Sequence, residues 1–396
     1  MYTLNCNGIK CNFLEVKEPG HENIITLILT VRCGTTDSEL SKKECAHLLE
    51  HILMSFDKIG STRENYIYAK AETSYFYTSY YITCEISKLS FALEIVKSLF
   101  KKTYINENNM KIAINEILNE SSKLFNDYDS NLRKNIFILK GSIFEKYHPN
   151  YQAEASVNCI TLYELMAFHN KWYYPSNTML NVVVGTDYNH NIYNQIKIAL
   201  NQIANPGFHL RDYNLFRLNN VCNCEVYDGF IFSPPCKMKI FYEIKQSMDY
   251  LDEKIEKNFF FEVIKKFIYE YFKRISIDII ELHLSQFENC SFILSLSISE
   301  RVDYENLIKN IVDFIYLNKE ILIIEIEKLH DINIVEDIPK YLVNQFAIKS
   351  FAYFENISDA EHIVKKISKI LKNFDIAKVK KILQDLMQSK YKVFIE

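Results

Sequence analysis

His47, Glu50 and His51 stand in the order His-x-x-Glu-His. On a helix, about 100° per residue puts all three within an arc of about 100°, while Leu48 and Leu49 turn elsewhere, toward a core. Two imidazoles at i and i+4 can grip one divalent ion from the same face, and the carboxylate between them can hold a bound water. Two histidines one turn apart are commonly packing or surface residues; a carboxylate on their face makes coincidence uncommon. A tetrahedral catalytic zinc takes three protein ligands and keeps one position for water, so a third donor is needed. A second helix, over about 107–125, offers Glu116 and Glu120, one turn apart and off the face of Ile114, Ile117 and Leu118. Spacing alone leaves both glutamates open. Without the histidines they would be an ordinary solvated face.

These residues need elements to hold them. Residues 9–33 alternate apolar and polar in two runs, the second including Ile24–Val31, as strands of a half-buried sheet do. The pattern predicts a helix from Lys42 to Ser55, a β-rich stretch from Thr73 to Ile86, and helices at about 88–102, 107–125, 129–144 and 161–172. Asn181–Val184, closed by Gly185, reads as a buried strand, and 188–203 as a helix. From Asn205-Pro206-Gly207 to Asn220 turn residues give way to mixed polarity without period, which marks 206–220 as a linker. The second half repeats the scheme, with strands at 222–232, 238–243 and 290–298 and helices at 251–273, 303–317, 319–329, 337–348, 359–372 and 375–388. The expectation is an α+β chain of two related domains, 1–205 and 221–396, although no residue-level repeat proves a duplication.

Composition agrees with such a chain and excludes others. At 396 residues, two or three domains are expected from length alone, and 48% hydrophobic with 24% charged residues is ordinary for a globular protein. Lys plus Arg is 46 against 50 for Asp plus Glu, so the net charge is −4; an extended nucleic-acid surface would show a basic excess. Only 8 Gly and 7 Pro against 27 Tyr and 27 Phe exclude collagen-like and largely disordered classes. No run of about 18 apolar residues offers a membrane span. The start, Met1-Tyr2-Thr3-Leu4-Asn5-Cys6, lacks a secretory pattern, so a cytoplasmic location is expected. None of the ten cysteines forms a Cys-x-x-Cys pair; Cys222-x-Cys224 is the one close pair, and free thiols in a reducing compartment are expected.

The motif is flanked by further stretches in a fixed order. Gly34-Thr35-Thr36-Asp37-Ser38-Glu39 precedes it; Lys70-Ala71-Glu72-Thr73-Ser74 and Thr78-Ser79-Tyr80 follow. Then come Glu120, His148-Pro149, Phe168-His169-Asn170-Lys171-Trp172-Tyr173-Tyr174-Pro175-Ser176-Asn177 and Val182-Val183-Val184-Gly185. His-x-x-Glu-His is the inverzincin order, the reverse of the commoner His-Glu-x-x-His. Together these stretches resemble the pitrilysin, or insulinase-like, zinc peptidases, which include the mitochondrial processing peptidases. The resemblance covers most of the first half.

What it implies is specific. The fold would be two related domains, each a mainly antiparallel sheet covered by helices and together half of a chamber. His47, His51 and Glu120 would hold one Zn2+ per chain, with Glu50 as general base and Glu116 orienting a ligating histidine. Lys70, Ala71, Glu72 and Thr73 would bind substrate, the strand at 71–81 offering its edge to an extended peptide; an ordinary aromatic-rich strand is the equal alternative. The activity would be that of an endopeptidase on short or unfolded peptides, such as a peptide-maturation protease. The alternative is a non-catalytic peptide-binding subunit. A homodimer, or a heterodimer with a related chain, would complete the chamber. Three positions depart from the family pattern. Lys70 replaces its asparagine, Ala113 stands where an extra glutamate is usual, and near Arg274 the expected tyrosine gives way to Glu281 and His283.

Overall fold

The alternation in the first half builds a six-stranded sheet. The computed structural model describes residues 2–15, 23–55, 67–126, 146–185, 190–205, 236–244, 250–286, 292–330, 347–348, 351, 360–388 and 390–395. Strands β1 (Tyr2–Cys6), β2 (Ile9–Glu15), β3 (Ile24–Val31), β4 (Tyr68–Thr73), β5 (Thr78–Glu85) and β6 (Thr178–Val184) lie in the order β1-β2-β6-β3-β5-β4. Only β2 and β6 run parallel; the other pairs are antiparallel. With a side-chain period of two, Ile25, Leu27, Leu29 and Val31 of β3 enter the core. On the opposite face Thr26 and Thr30 pair their hydroxyls with Thr83 and Ser79, each at 2.9 Å.

Helices α1 (Cys45–Met54), α2 (Leu89–Ser98), α3 (Glu107–Asn126), α4 (Ala153–Val157), α5 (Leu162–Trp172) and α6 (His190–Asn201) complete this unit. Helix α1 is buried on nearly every side, Leu48, Leu49, Ile52 and Leu53 being at most 1% exposed. Helix α3 buries Met110, Ala113 and Ile117 and leaves Glu116 and Glu120 on another face. Thr161 caps α5 through a reciprocal pair with Glu164, each accepting the other's backbone N–H.

A second, four-stranded antiparallel sheet has the order β10-β7-β9-β8, from β7 (Met238–Ile244), β8 (Ile279–Gln286), β9 (Phe292–Ile298) and β10 (Lys390–Ile395). Its helices are α7 (Tyr250–Arg274), α8 (Leu307–Leu317), α9 (Lys319–His330), α10 (Ala360–Lys372) and α11 (Ile376–Met387). Phe260, Ile264, Phe267 and Phe272 of α7 form a core with Ile240, Leu294 and Leu296. The chain thus divides into two compact units: Met1–Asp127, Ile143–Tyr213 and Pro339–Ile363 in one, Tyr128–Ser142, Asn214–Ile338 and Val364–Glu396 in the other. Both carry a mainly or wholly antiparallel sheet with helices, the α+β class expected.

The linker expected at 206–220, the helix at 129–144, the strand at 222–232 and Cys222-x-Cys224 lie outside the described residues, as does most of the helix at 337–348. Strands β1, β8 and β10 were not expected. No helix among the described residues is long and apolar enough to cross a membrane. No disulfide joins the described cysteines, six of which are buried.

Candidate metal centre and active site

Helix α1 carries His47, Glu50 and His51 on the face it turns to α3 and β4. His47 is 5% and Glu50 8% exposed, and His51 is half-buried. The two imidazole rings meet edge-on, 4.9 Å between centroids. From α3, Glu120 Oε2 reaches to 3.6 Å from His47 Nε2 and 3.4 Å from His51 Nε2. The donor atoms of His47, His51 and Glu120 all lie within 4.8 Å of one another. Zinc bonds of about 2.0–2.2 Å give a tetrahedron with edges of about 3.3–3.6 Å, so the two Glu120 separations, 3.6 and 3.4 Å, already match such an edge.

The outer ring nitrogens are engaged as metal-binding histidines require. His47 Nδ1 lies 2.7 Å from Glu44 Oε2, and His51 Nδ1 lies 3.1 Å from Glu116 Oε2. A carboxylate on Nδ1 holds the hydrogen there and leaves Nε2 to ligate. By the separation of its three donors and by these outer carboxylates, the set fits a zinc ion. Glu116 thus meets the ring nitrogen of His51 that faces away from Glu120. Glu44 was not anticipated. Its signal was the i, i+3 spacing to His47 on the same helix face, with Lys43 beside it.

Electrostatics follow from burial and pairing. Burial works against a charged His47, yet its contacts with Glu120 and Glu44 carry its pKa up to about 10. Burial likewise opposes a charged His51, and Glu120 outweighs it, so this pKa is raised too. The hydrogen bonds from His47 and His51 hold Glu120 well below the usual carboxylate range. Burial lifts Glu50, against the nearby imidazoles and the Thr73 hydroxyl, which donates to Glu50 Oε2 at 2.8 Å. A carboxyl lifted by burial is a better proton acceptor once ionised.

Strand alternation separates the four β4 residues. Ala71 packs against the core and Thr73 bonds Glu50, whereas Lys70 and Glu72 are exposed and meet Tyr81. The Lys70 ammonium lies 4.9 Å from the Tyr81 ring centroid, and Glu72 Oε1 accepts from the Tyr81 hydroxyl at 2.7 Å. Strand β4 ends the sheet order, so its outer edge has no strand partner among the described residues. The turn after it is fixed by the loop before α1. Thr35 N–H donates to Ser74 O at 3.1 Å and Thr36 N–H to Tyr75 O at 3.0 Å. The approach is so close that a Cβ on Gly34 would sit 2.3 Å from Ser74 O. Two other stretches meet in the interior, where the Tyr80 and Tyr173 hydroxyls are 2.6 Å apart.

In the second unit Arg274 ends α7, is exposed, and stacks its guanidinium 4.6 Å from the Phe314 ring centroid. Glu281 and His283 lie on β8, opposite Ser297 and Ser295 of β9.

No protein-family model matches the sequence, and no curated protein does. Solved structures do match in three dimensions. The chain superposes on the first half of the periplasmic protease PqqL from Escherichia coli with a TM-score of 0.70 and 14% identity, covering 99% of this chain and 91% of that one. Against the longer PqqL structure the TM-score is 0.69 at 15% identity, covering 99% of this chain and 47% of PqqL. An M16-like peptidase from Alicyclobacillus acidocaldarius gives 0.65 at 11% identity, covering 99% and 96%. A predicted insulinase family protease from Yersinia pestis gives 0.59 at 15% identity, covering 99% and 91%. Across nearly its whole length, this chain has the fold of M16-like, insulinase-family peptidases.

Proposed function

We propose that this chain is a zinc-dependent endopeptidase that hydrolyses short or unfolded peptides. The observation that carries the reading is the convergence of His47, His51 and Glu120 within 4.8 Å, with Glu50 on the same helix face. His47, His51 and Glu120 would hold the ion, and Glu116 and Glu44 would orient the two imidazoles. Zinc bound there supplies a Lewis acid for the scissile carbonyl and lowers the pKa of a water toward about 7.

The chain's own residues do the rest. Glu50 takes a proton from the water as its oxygen adds to the carbonyl carbon, then returns it to the amine nitrogen as the C–N bond breaks. Thr73 keeps the Glu50 carboxylate aimed, through its hydroxyl. The outer edge of β4 would take an extended peptide as an added strand, its main chain hydrogen-bonded to that edge. Such binding suits unfolded segments, because a folded domain has no free strand to offer.

The chain matches one half of PqqL in length, which supports a working unit completed by a second copy or a related chain. Maturation of a peptide precursor is the narrower form of this activity. Cleavage of an unstructured peptide, lost to a chelator and restored by added Zn2+, tests the reading; cleavage at an unchanged rate after the metal is stripped would reject it.

A further inference from the structure

Behind the metal-ligand set lies a short turn that bonds to both helices carrying it. Asn150 N–H donates to Glu44 Oε1 at 3.0 Å, while Glu44 Oε2 faces His47 Nδ1 at 2.7 Å. Asn150 C=O accepts from Ser121 Oγ at 2.8 Å, and Ser121 follows Glu120 directly on α3. The backbone of one residue thus reaches a ligand of α1 through Glu44 and a ligand of α3 through Ser121. The turn is anchored just ahead of Asn150. Thr35 Oγ1 donates to Tyr147 O at 2.6 Å, and the Lys43 ammonium donates to His148 O. Beyond it, Ser156 Oγ accepts the Glu44 backbone N–H at 3.0 Å.

The arrangement is buried and conformationally demanding. Glu44 is 0%, Lys43 3% and Asn150 6% exposed. Lys43 Nζ lies 3.2 Å from Glu44 Oε1 and balances its charge, as a buried carboxylate requires. Asn150 has φ +66° and Gln152 φ +53°, left-handed conformations that side-chain-bearing residues seldom adopt. Asparagine is among the few that enter this region at modest cost. In that conformation the Asn150 N–H is on Glu44 and its carbonyl on Ser121.

We infer that Asn150 and Glu44 are positioning residues: the turn at 147–151 locks α3 against α1 so that Glu120 meets His47 and His51 in the geometry one metal ion needs. This rests on the reading of that trio as the zinc site. The clamp acts on metal affinity before any substrate is present. Glu44→Gln breaks it at one end, because an amide has a single acceptor oxygen for two N–H donors, Asn150 and His47. Ser121→Ala breaks it at the other.

The test is Zn2+ affinity by competition with a chromophoric chelator, with the visible spectrum of the Co2+-loaded protein as a second readout of ligand geometry. Thermal unfolding in excess chelator verifies that each variant is folded. Glu44→Gln should weaken zinc binding about 10–100-fold, the usual effect of losing a carboxylate behind a ligating histidine, and change the Co2+ bands. Ser121→Ala should weaken it about fivefold, as one hydrogen bond would. Because both act through Asn150, the double variant should bind about as weakly as Glu44→Gln alone rather than by the product of the two losses. Should Glu44→Gln fail to fold with Lys43 left unbalanced, Lys43→Met/Glu44→Gln removes both charges and carries the same expectation. Affinity within about twofold of wild type in the folded Glu44 variant, or losses that multiply, would overturn the clamp. A wild-type chain that takes up neither Zn2+ nor Co2+ would overturn the metal-site reading itself, which separates the two failures.

Discussion

An imidazole with a carboxylate at each ring nitrogen is a place where protons and a metal ion compete. His47 has Glu44 at Nδ1 and Glu120 at Nε2, and its pKa is raised to about 10 although burial opposes the charge. The sign follows. Below the unfolded value near 6.5 both states hold the proton and its stabilising contribution is fully present; it is lost as pH climbs through about 10. Zinc needs the same Nε2 free of its proton, so binding expels it. The apparent zinc affinity should therefore rise at least about tenfold per pH unit up to about 10. Zinc titrations between about pH 6.5 and 8.5 check this, and a flat profile would contradict it. Within the motif, residue types and the helical repeat alone were enough to group His47, Glu50 and His51. Glu44 was harder to see: a glutamate at a helix start reads as a charge favourable to the helix dipole. Only the packing of Lys43, Asn150 and Ser156 around it makes it an interior group.

On α3, two glutamates one turn apart divide their duties by direction. Glu120 faces both Nε2 atoms and Glu116 the outer nitrogen of His51. Glu120→Gln should consequently weaken zinc far more than Glu116→Gln, whose loss is expected to be about 10-fold; chelator competition on both variants decides, and the reverse ranking would exchange their roles. The loop before α1 sets β4 in the same way. Gly34→Ala has no room against Ser74 O and Tyr75 O, so the turn must shift and draw Thr73 from Glu50. A loss of about 1–3 kcal/mol in stability is expected, with a fall in turnover, read by thermal unfolding and peptide cleavage; wild-type values for both would show that the turn has room for the methyl group. The elements that escaped the sequence share a cause. Strands β1, β8 and β10 all end their sheets, and only the last residue of β4, another end strand, fell in the expected β-rich stretch. Edge strands tend to carry charged residues, and the sequences of β8 and β10 hold Glu281 and His283, and Lys390 and Lys392. The central strands β3 and β6, apolar on the core face, stood out for the opposite reason.

At the scale of the molecule, the chain corresponds to 47% of PqqL and to 91% of its first half. In the second unit Arg274 is stacked on Phe314, and the sequence of β8 has Glu281 and His283 where the resembling family has a tyrosine. On the proposed two-chain reading, a partner would supply that substrate clamp. Sedimentation of the protein, alone and with any paralogue encoded beside it, should find a two-chain particle; a strict monomer cleaving peptides at full rate would refute this. The central claim, that zinc and Glu50 together make a peptidase, is tested most directly by Glu50→Gln measured beside wild type for bound zinc and for cleavage of an unstructured peptide. Both proteins should hold one zinc per chain, while the variant, keeping the shape but losing the proton acceptor, should turn over about 10²–10⁴-fold more slowly. Cleavage by the variant at near wild-type rate, or freshly purified wild type without stoichiometric zinc, would contradict it.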